Sequence, residues 1–417
     1  MAAVTRRETL FPWSLFAALI AAAGLPIYIH APTVYAETYG IGLGALGLTL
    51  AALRLIDVVQ DPLLGWFAES RRATRGVWVA IAAATMAAAM IGLFAITPPF
   101  APLLWFALTL TLLFSAFSFL TICFYAEGVG RADRMGTGGH IRLAGWRESG
   151  ALIGITLASV APVALGSLTG EPYAAFACGF AALALIATLA MRHEWGQATA
   201  LPPDTSPLAT FRPALADPLA RRLLLIALLN AAPVAVSSTL FLFFVAQALD
   251  APNAAGPLLL LFFAAAAIST PLWSRAAQRF GAKRGLMAAM ILAIAAFVWA
   301  AFLGPGDAIP FALICAASGA ALGADMTLLP AIFARRMATI GKGGEAAAFG
   351  LWSFVSKLSL ALAAATLLPA LESAGFSASG PSPDTALALL TALYALLPCT
   401  LKLAAITLLA RTHIPEA

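Results

Sequence analysis

The sequence predicts an all-α polytopic membrane protein: twelve transmembrane helices in two pseudo-symmetric six-helix bundles. Its 417 residues are 62% apolar and only 10% charged, whereas soluble proteins carry roughly 25% charged residues. The apolar residues fall into twelve runs, each near the ~20 residues a helix needs to cross a bilayer. Basic residues punctuate these runs on alternate sides only, the pattern that orients membrane helices.

The first run, 11–31, follows Arg6 and Arg7. It is long enough to span and reads as an uncleaved first helix rather than a signal peptide. The next five runs cover 41–67, 77–97, 101–126, 143–166 and 173–191. A segment at 193–220 carries Pro202, Pro203, Pro207, Pro213 and Pro218 and reads as a linker. The last six runs cover 222–248, 255–274, 285–304, 309–334, 348–371 and 384–410. The expected organisation is therefore an N-terminal bundle (1–192), a cytoplasmic linker (193–220) and a C-terminal bundle (221–417).

Topology follows from Lys and Arg. Twenty of the 24 basic residues lie in the N-terminal segment, the linker, the C-terminal segment or alternate loops, and the opposite loops hold none. Those loops carry Glu37, Glu171, Asp250, Asp307, Glu372 and Asp384 instead. Both termini are expected to be cytoplasmic, in a bacterial inner membrane. A repeat supports two halves: Asp61-Pro62-Leu63 and Thr270-Pro271-Leu272 are 209 residues apart, as are Arg75-Gly76 and Arg284-Gly285. Cys123, Cys178, Cys315 and Cys399 all fall in apolar runs and read as free core thiols. The positive net charge does not form one soluble face, so no nucleic-acid partner is expected.

The four remaining basic residues, Arg54, Arg147, Lys357 and Lys402, lie inside predicted spans. Arg54, Asp57 and Asp61 share one face of the second span, because spacings of three and seven residues bring them within about 60° of each other. A charge near the bilayer centre costs ~2.5–3.5 kcal/mol on the most lenient scale, so such a group marks an ion or proton pathway. Asp57 and Asp61, one turn apart, are expected to titrate as a coupled pair that a bound Na⁺ or a shared proton relieves. The competing reading is structural: Arg54 and Lys357 neutralise both acids and lock the halves together.

Three motifs carry a family resemblance. Gly24-Leu25-Pro26, Tyr35-Ala36-Glu37 and the run from Arg54 through Asp57 and Asp61-Pro62 to Gly65-Trp66 resemble the first two helices of the glycoside–pentoside–hexuronide:cation symporters. These belong to the major facilitator superfamily and include the melibiose permeases. Gly145-Trp146-Arg147 resembles the start of that family's fifth helix, and Phe349-Gly350-Leu351-Trp352-Ser353-Phe354-Val355-Ser356-Lys357 its eleventh. The resemblance implies that Asp57 and Asp61 bind the coupling cation with Lys357 close by. It also implies that Glu69, Arg71, Arg72 and Arg75 form a cytoplasmic gate, with Arg275, Arg279 and Arg284 as its second copy. The chain departs from the family where melibiose permease grips its sugar with two aspartates, for here Ala21 and Thr121 stand. Tyr125 replaces the tryptophan one turn further on, and Arg335 the acid that ends the tenth helix.

Arg147 and Asp325 are further pathway or charge-network candidates, with snorkelling or loop pairing as the alternative for each. Glu148 is a weaker one. Thr121, Tyr125 and Trp352 are candidates for the substrate cavity. No zinc or catalytic-triad arrangement and no phosphate loop is present, so no enzyme and no cofactor beyond a coupling Na⁺ or H⁺ is expected. The expected function is cation-coupled symport of a small polar solute, a sugar or sugar derivative among the candidates, by a monomer in the lipid bilayer. Two alternatives stand beside it: a proton-driven exporter of an amphipathic or lipid-like compound, and a non-transporting scaffold or sensor.

Overall fold

The computed structural model describes residues 9–195, 207–341, 344–376 and 382–415. Every regular element among them is helical. The first span is two helices, α1 (Phe11–Ala22) and α2 (Leu25–Tyr39). They part at Gly24, whose backbone leaves the helical region at φ −87°, ψ −114°. Pro26 lacks the N–H that would continue the ladder across this break. Next come α3 (Leu43–Ser70), α4 (Arg75–Phe94), α5 (Pro102–Arg134), α6 (Gly139–Gly166) and α7 (Pro172–Met191). After the linker helix α8 (Pro207–Ala216) follow α9 (Pro218–Phe243), α10 (Ala255–Phe280), α11 (Ala282–Phe297), α12 (Ala308–Ile340) and α13 (Glu345–Ser373). The last span joins α14 (Asp384–Thr391) to α15 (Leu397–Ala410) through a π-helical turn. Ten of the helical segments are each long and apolar enough to cross a membrane. With the broken first span and α3, twelve crossings result, as the hydropathy predicts.

The helices run longer than the apolar segments. α5 continues to Arg134 and α12 to Ile340, because the backbone ladder does not need apolar side chains once it leaves the hydrocarbon. The segment expected to be a plain linker contains α8, which packs on α3, α9 and α13; residues 196–206 of it lie outside the described residues. Asp217 caps α9 by accepting from Ala220 N–H at 2.7 Å. It also takes hydrogen bonds from Arg336 on α12. That guanidinium holds the Asp217 carboxyl below the usual carboxylate range. Cys178 is exposed on α7 rather than in the core, since an apolar residue in a spanning helix can equally face lipid.

Two crossings bring the first six spans against the last six. A Cβ on Gly65 of α3 would sit 3.0 Å from Gly350 Cα of α13, and one on Gly145 of α6 would sit 2.6 Å from Ser274 Oγ of α10. Ser274 is the residue 209 positions after Gly65, so the two crossings are related by the sequence repeat. Small residues allow such close backbone approach within a membrane. Both crossings lie toward the ends that carry the basic loops. There the two sets of spans share one hydrophobic core, with Leu223, Leu286, Leu328 and Phe349 joining residues of the first six. At the other end the last six spans keep a separate core around Leu240, Phe244, Phe311 and Tyr394. The molecule is thus closed at the basic end.

Candidate functional site

Three layers of charge stack along the interface between the two sets of spans. The first lies furthest from the basic end. Lys357 Nζ, on α13, donates to Asp61 Oδ1 at 3.1 Å and to Ser118 Oγ on α5 at 2.6 Å. It also lies 3.0 Å from Asp61 Oδ2 and 3.6 Å from Asp57 Oδ2. Ser353 Oγ donates to Asp61 Oδ2 at 2.5 Å. Gln60 Nε2 donates to Asp57 Oδ1 at 2.6 Å, and its own oxygen accepts from Ser115 Oγ at 2.9 Å. Asp61 is fully buried and Asp57 only 5% exposed. The Arg54 side chain lies outside the described residues. Among the described side chains, two buried carboxylates of α3 hold one ammonium of α13.

The second layer lies toward the basic end. The Arg147 guanidinium of α6 stacks 3.7 Å over the Tyr125 ring of α5. Its Nε donates to Glu148 Oε1 at 3.0 Å, and the Tyr125 hydroxyl donates to the same oxygen at 3.1 Å. Arg147 and Glu148 are both buried, so Arg147 does not snorkel to the loop. Tyr125 packs its ring against Phe349, 5.2 Å between centroids, and Trp352 packs on Phe333 at 5.0 Å. The aromatic floor therefore uses Tyr125 and Trp352 in packing. The Thr121 hydroxyl donates to Phe117 O of its own helix at 2.7 Å.

The third layer closes the basic end. Glu69, fully buried at the end of α3, accepts from Ala346 N–H in the first turn of α13 at 2.9 Å. A carboxylate there also meets the positive end of the helix dipole. Arg72 bridges Glu69 (3.1 Å) and Glu345 (2.9 Å). Arg75 lies 3.1 Å from Glu127 and 3.7 Å from Glu69. Arg71 is exposed and lies over Phe67. The second copy is built differently. Arg275, Arg279 and Arg284 are exposed and have no described ion pair. The residue 209 positions after Glu69 is the neutral Gln278, so the carboxylate that would organise those arginines is missing.

Asp325 stands apart from these layers. It pairs with Lys402 of α15, which donates to Asn230 Oδ1 on α9 at 2.7 Å. Sequence reasoning missed this partner, and also Gln60, Ser115, Ser118 and Ser353. Ser353 is four residues before Lys357, and Ser118 is three before Thr121, so helical spacing could have placed both on the relevant faces.

Twelve spans closed at one end around a buried interfacial charge network have the architecture of a membrane transporter. The chain belongs to the MFS/sugar transport protein family, whose model matches residues 11–416. This is a family of transporters, not of enzymes, and its fold is the major facilitator fold. No curated protein sequence matches the chain significantly. Among solved structures, a bacterial homologue of the iron transporter ferroportin, in an outward-facing state with soaked iron, aligns at TM-score 0.68 and 13% identity, over 97% of this chain and 99% of that one. The E. coli fucose:proton symporter aligns at 0.65 and 12%, over 96% and 99%. The human organic anion transporter TETRAN aligns at 0.63 and 18%, over 96% and 97%. At these identities the likeness is one of fold.

Proposed function

We propose that the chain is a cation-coupled symporter of a small polar solute, with Asp57 and Asp61 as the coupling pair. The observation that carries this is a placement: two buried carboxylates of α3 hold an ammonium of α13 across the interface between the two sets of spans. A Na⁺ or H⁺ at the pair competes with Lys357 for the two carboxylates. Because Lys357 and Ser353 belong to the last six spans and the acids to the first six, filling the site changes how tightly the two sets are held together. Solute and cation enter from the end opposite the basic loops. Neutralising the pair lets the two bundles, 1–192 and 221–417, rock about the site and open the basic, cytoplasmic end. Glu69, Arg72, Arg75 and Glu345 form the latch that this motion must break. The family description and the fucose:proton symporter neighbour support a sugar or sugar derivative as solute. Melibiose-type galactosides are poor candidates, because Ala21 and the self-bonded Thr121 do not replace a pair of aspartates.

A second reading has its own observation. The aromatic floor of Phe333, Phe349 and Trp352 suits an amphipathic cargo exported against a proton gradient. Proteoliposomes separate the two. Inward Na⁺ or H⁺ gradients, imposed one at a time, should drive uptake of a member of a polar-solute panel. Absence of any gradient-driven polar uptake, together with proton-driven extrusion of amphipathic dyes, would replace symport by export.

A further inference from the structure

The last six spans contain a second buried ionic cluster that the coupling site does not use. Asp325 on α12, Lys402 on α15 and Asn230 on α9 are 8%, 4% and 6% exposed. Lys402 bonds one carboxylate oxygen of Asp325 and the Asn230 side-chain oxygen. The other carboxylate oxygen, Oδ1, is buried and has no hydrogen-bond partner among the described residues. Asp325 and Lys402 both line a cavity of about 60 Å³ between α9, α10, α11, α12 and α15. At roughly 30 Å³ per water in the liquid, that is room for about two water molecules.

The pair leaves one carboxylate oxygen as a free acceptor among the described residues, on a residue that lines this cavity. A buried ion pair contributes little net stability over apolar packing, and a half-satisfied one contributes less. Of the other residues lining the cavity, only Lys402 is charged, and the one further titratable group is the Cys399 thiol. Helices α5, α6 and α13, which also pack on α12, place no described ion pair or hydrogen bond on Asp325.

We infer that Asp325 is a second proton-binding site, carried wholly within the last six spans and hydrated from this cavity. A hydronium in the cavity gives its proton to Asp325 Oδ1. One O–H bond forms there, one breaks on the hydronium, and a water is left. The new hydroxyl donates to that water. Lys402 keeps its bonds to Asn230 and to the carbonyl oxygen of the acid, so the cluster moves from neutral to a single positive charge. Helix α9 lies between this cluster and the helix that carries Lys357. Ser359, two residues past Lys357, donates to Leu228 O at 3.0 Å, and Leu228 is two residues before Asn230. The inference does not depend on the role of Asp57 and Asp61.

Infrared difference spectra of the purified full-length protein, titrated from about pH 8 to about pH 4, read carboxyl protonation directly. One component of the protonated-carboxyl signal, beyond that of the exposed acids and of the Asp57–Asp61 pair, should grow as pH falls. It should survive Asp57→Asn and vanish in Asp325→Asn. It should vanish also in Asp325→Asn combined with Lys402→Met, which leaves no unpaired charge and so protects folding. Lys402→Met alone should move the midpoint of that component to higher pH, because a neighbouring cation is removed. A titrating carboxyl signal that is unchanged by both Asp325 variants would overturn the inference. So would an Asp325-dependent band whose midpoint ignores Lys402.

Discussion

Lys357 Nζ lies 3.0 Å from Asp61 Oδ2 and 3.6 Å from Asp57 Oδ2, so one ammonium from α13 is held by two carboxylates of α3. The pair is unequal. Asp61 is fully buried and also accepts from Ser353, whereas Asp57 has Gln60 as a second partner on its own helix. Asp61→Asn should therefore lower thermal stability more than Asp57→Asn. Removing one partner of a buried pair costs about 3–5 kcal/mol, and after Asp57→Asn Lys357 still has Asp61. Unfolding in detergent, followed with and without Lys357→Met, checks this. The Lys357→Met background should recover much of the loss caused by Asp61→Asn.

The basic-end latch is expected to depend on one copy of the repeat only. Glu69→Gln weakens the bonds to Arg72, Arg75 and the α13 amide together. It should shift the protein toward the state open at the basic end, read as faster alkylation of a cysteine replacing Ser274, which is buried at the α6–α10 crossing. Arg284→Ala, on the exposed side of the second copy, should leave that rate within about twofold, since surface substitutions away from networks are usually within ±0.5 kcal/mol.

Gly350→Ala tests the α3–α13 crossing. The added methyl would meet Asp61 O at 2.8 Å and Gly65 Cα at 3.0 Å, both backbone atoms that cannot swing aside. Overpacking of this kind costs about 1–3 kcal/mol. Here it falls on the closed state, because the opposite state separates the two helices. Spin labels across the basic end should report a longer mean distance than in the parent protein.

The Asp217–Arg336 link should fail only in acid. Arg336 lowers the folded-state pKa of Asp217, so its contribution is present above the unfolded value near about 3.9. It is lost as pH falls through the lower folded value. Asp217→Ala should therefore cost a similar, small amount at pH 7 and pH 5, about 0.2–1 kcal/mol from the ion pair plus ~1 kcal/mol from the helix cap. The difference from the parent should shrink as pH falls below the unfolded value, measured as the shift in unfolding temperature.

Hydropathy alone made the spans legible, because bilayer thickness sets a length that soluble folds do not impose. Helix ends were not legible: Arg131 and Arg134 continue α5 where apolar character stops, since the backbone ladder needs no apolar partner. Asp57, Asp61 and Lys357 stood out because charge inside a span is costly, and the structure joins all three. Asp325 stood out for the same reason, but its partner Lys402 is 77 positions away with no periodic relation. Long-range pairing within a bundle leaves no trace in local spacing. The difference between the two copies of the basic-end motif was written in the sequence, as Glu69 against Gln278, yet its meaning required the α13 amide that Glu69 meets.

The coupling role of the acid pair is tested most directly by comparing two transport modes of Asp57→Asn in proteoliposomes, using whichever solute the panel identifies. Asparagine keeps the volume of the side chain and its hydrogen bond to Gln60, and it leaves the Lys357–Asp61 pair in place. It removes the negative charge that the coupling cation would neutralise. The expected result is loss of gradient-driven accumulation with equilibrium exchange of the solute retained. Accumulation at the parent level under the same Na⁺ or H⁺ gradient would contradict the assignment of the pair as the coupling site.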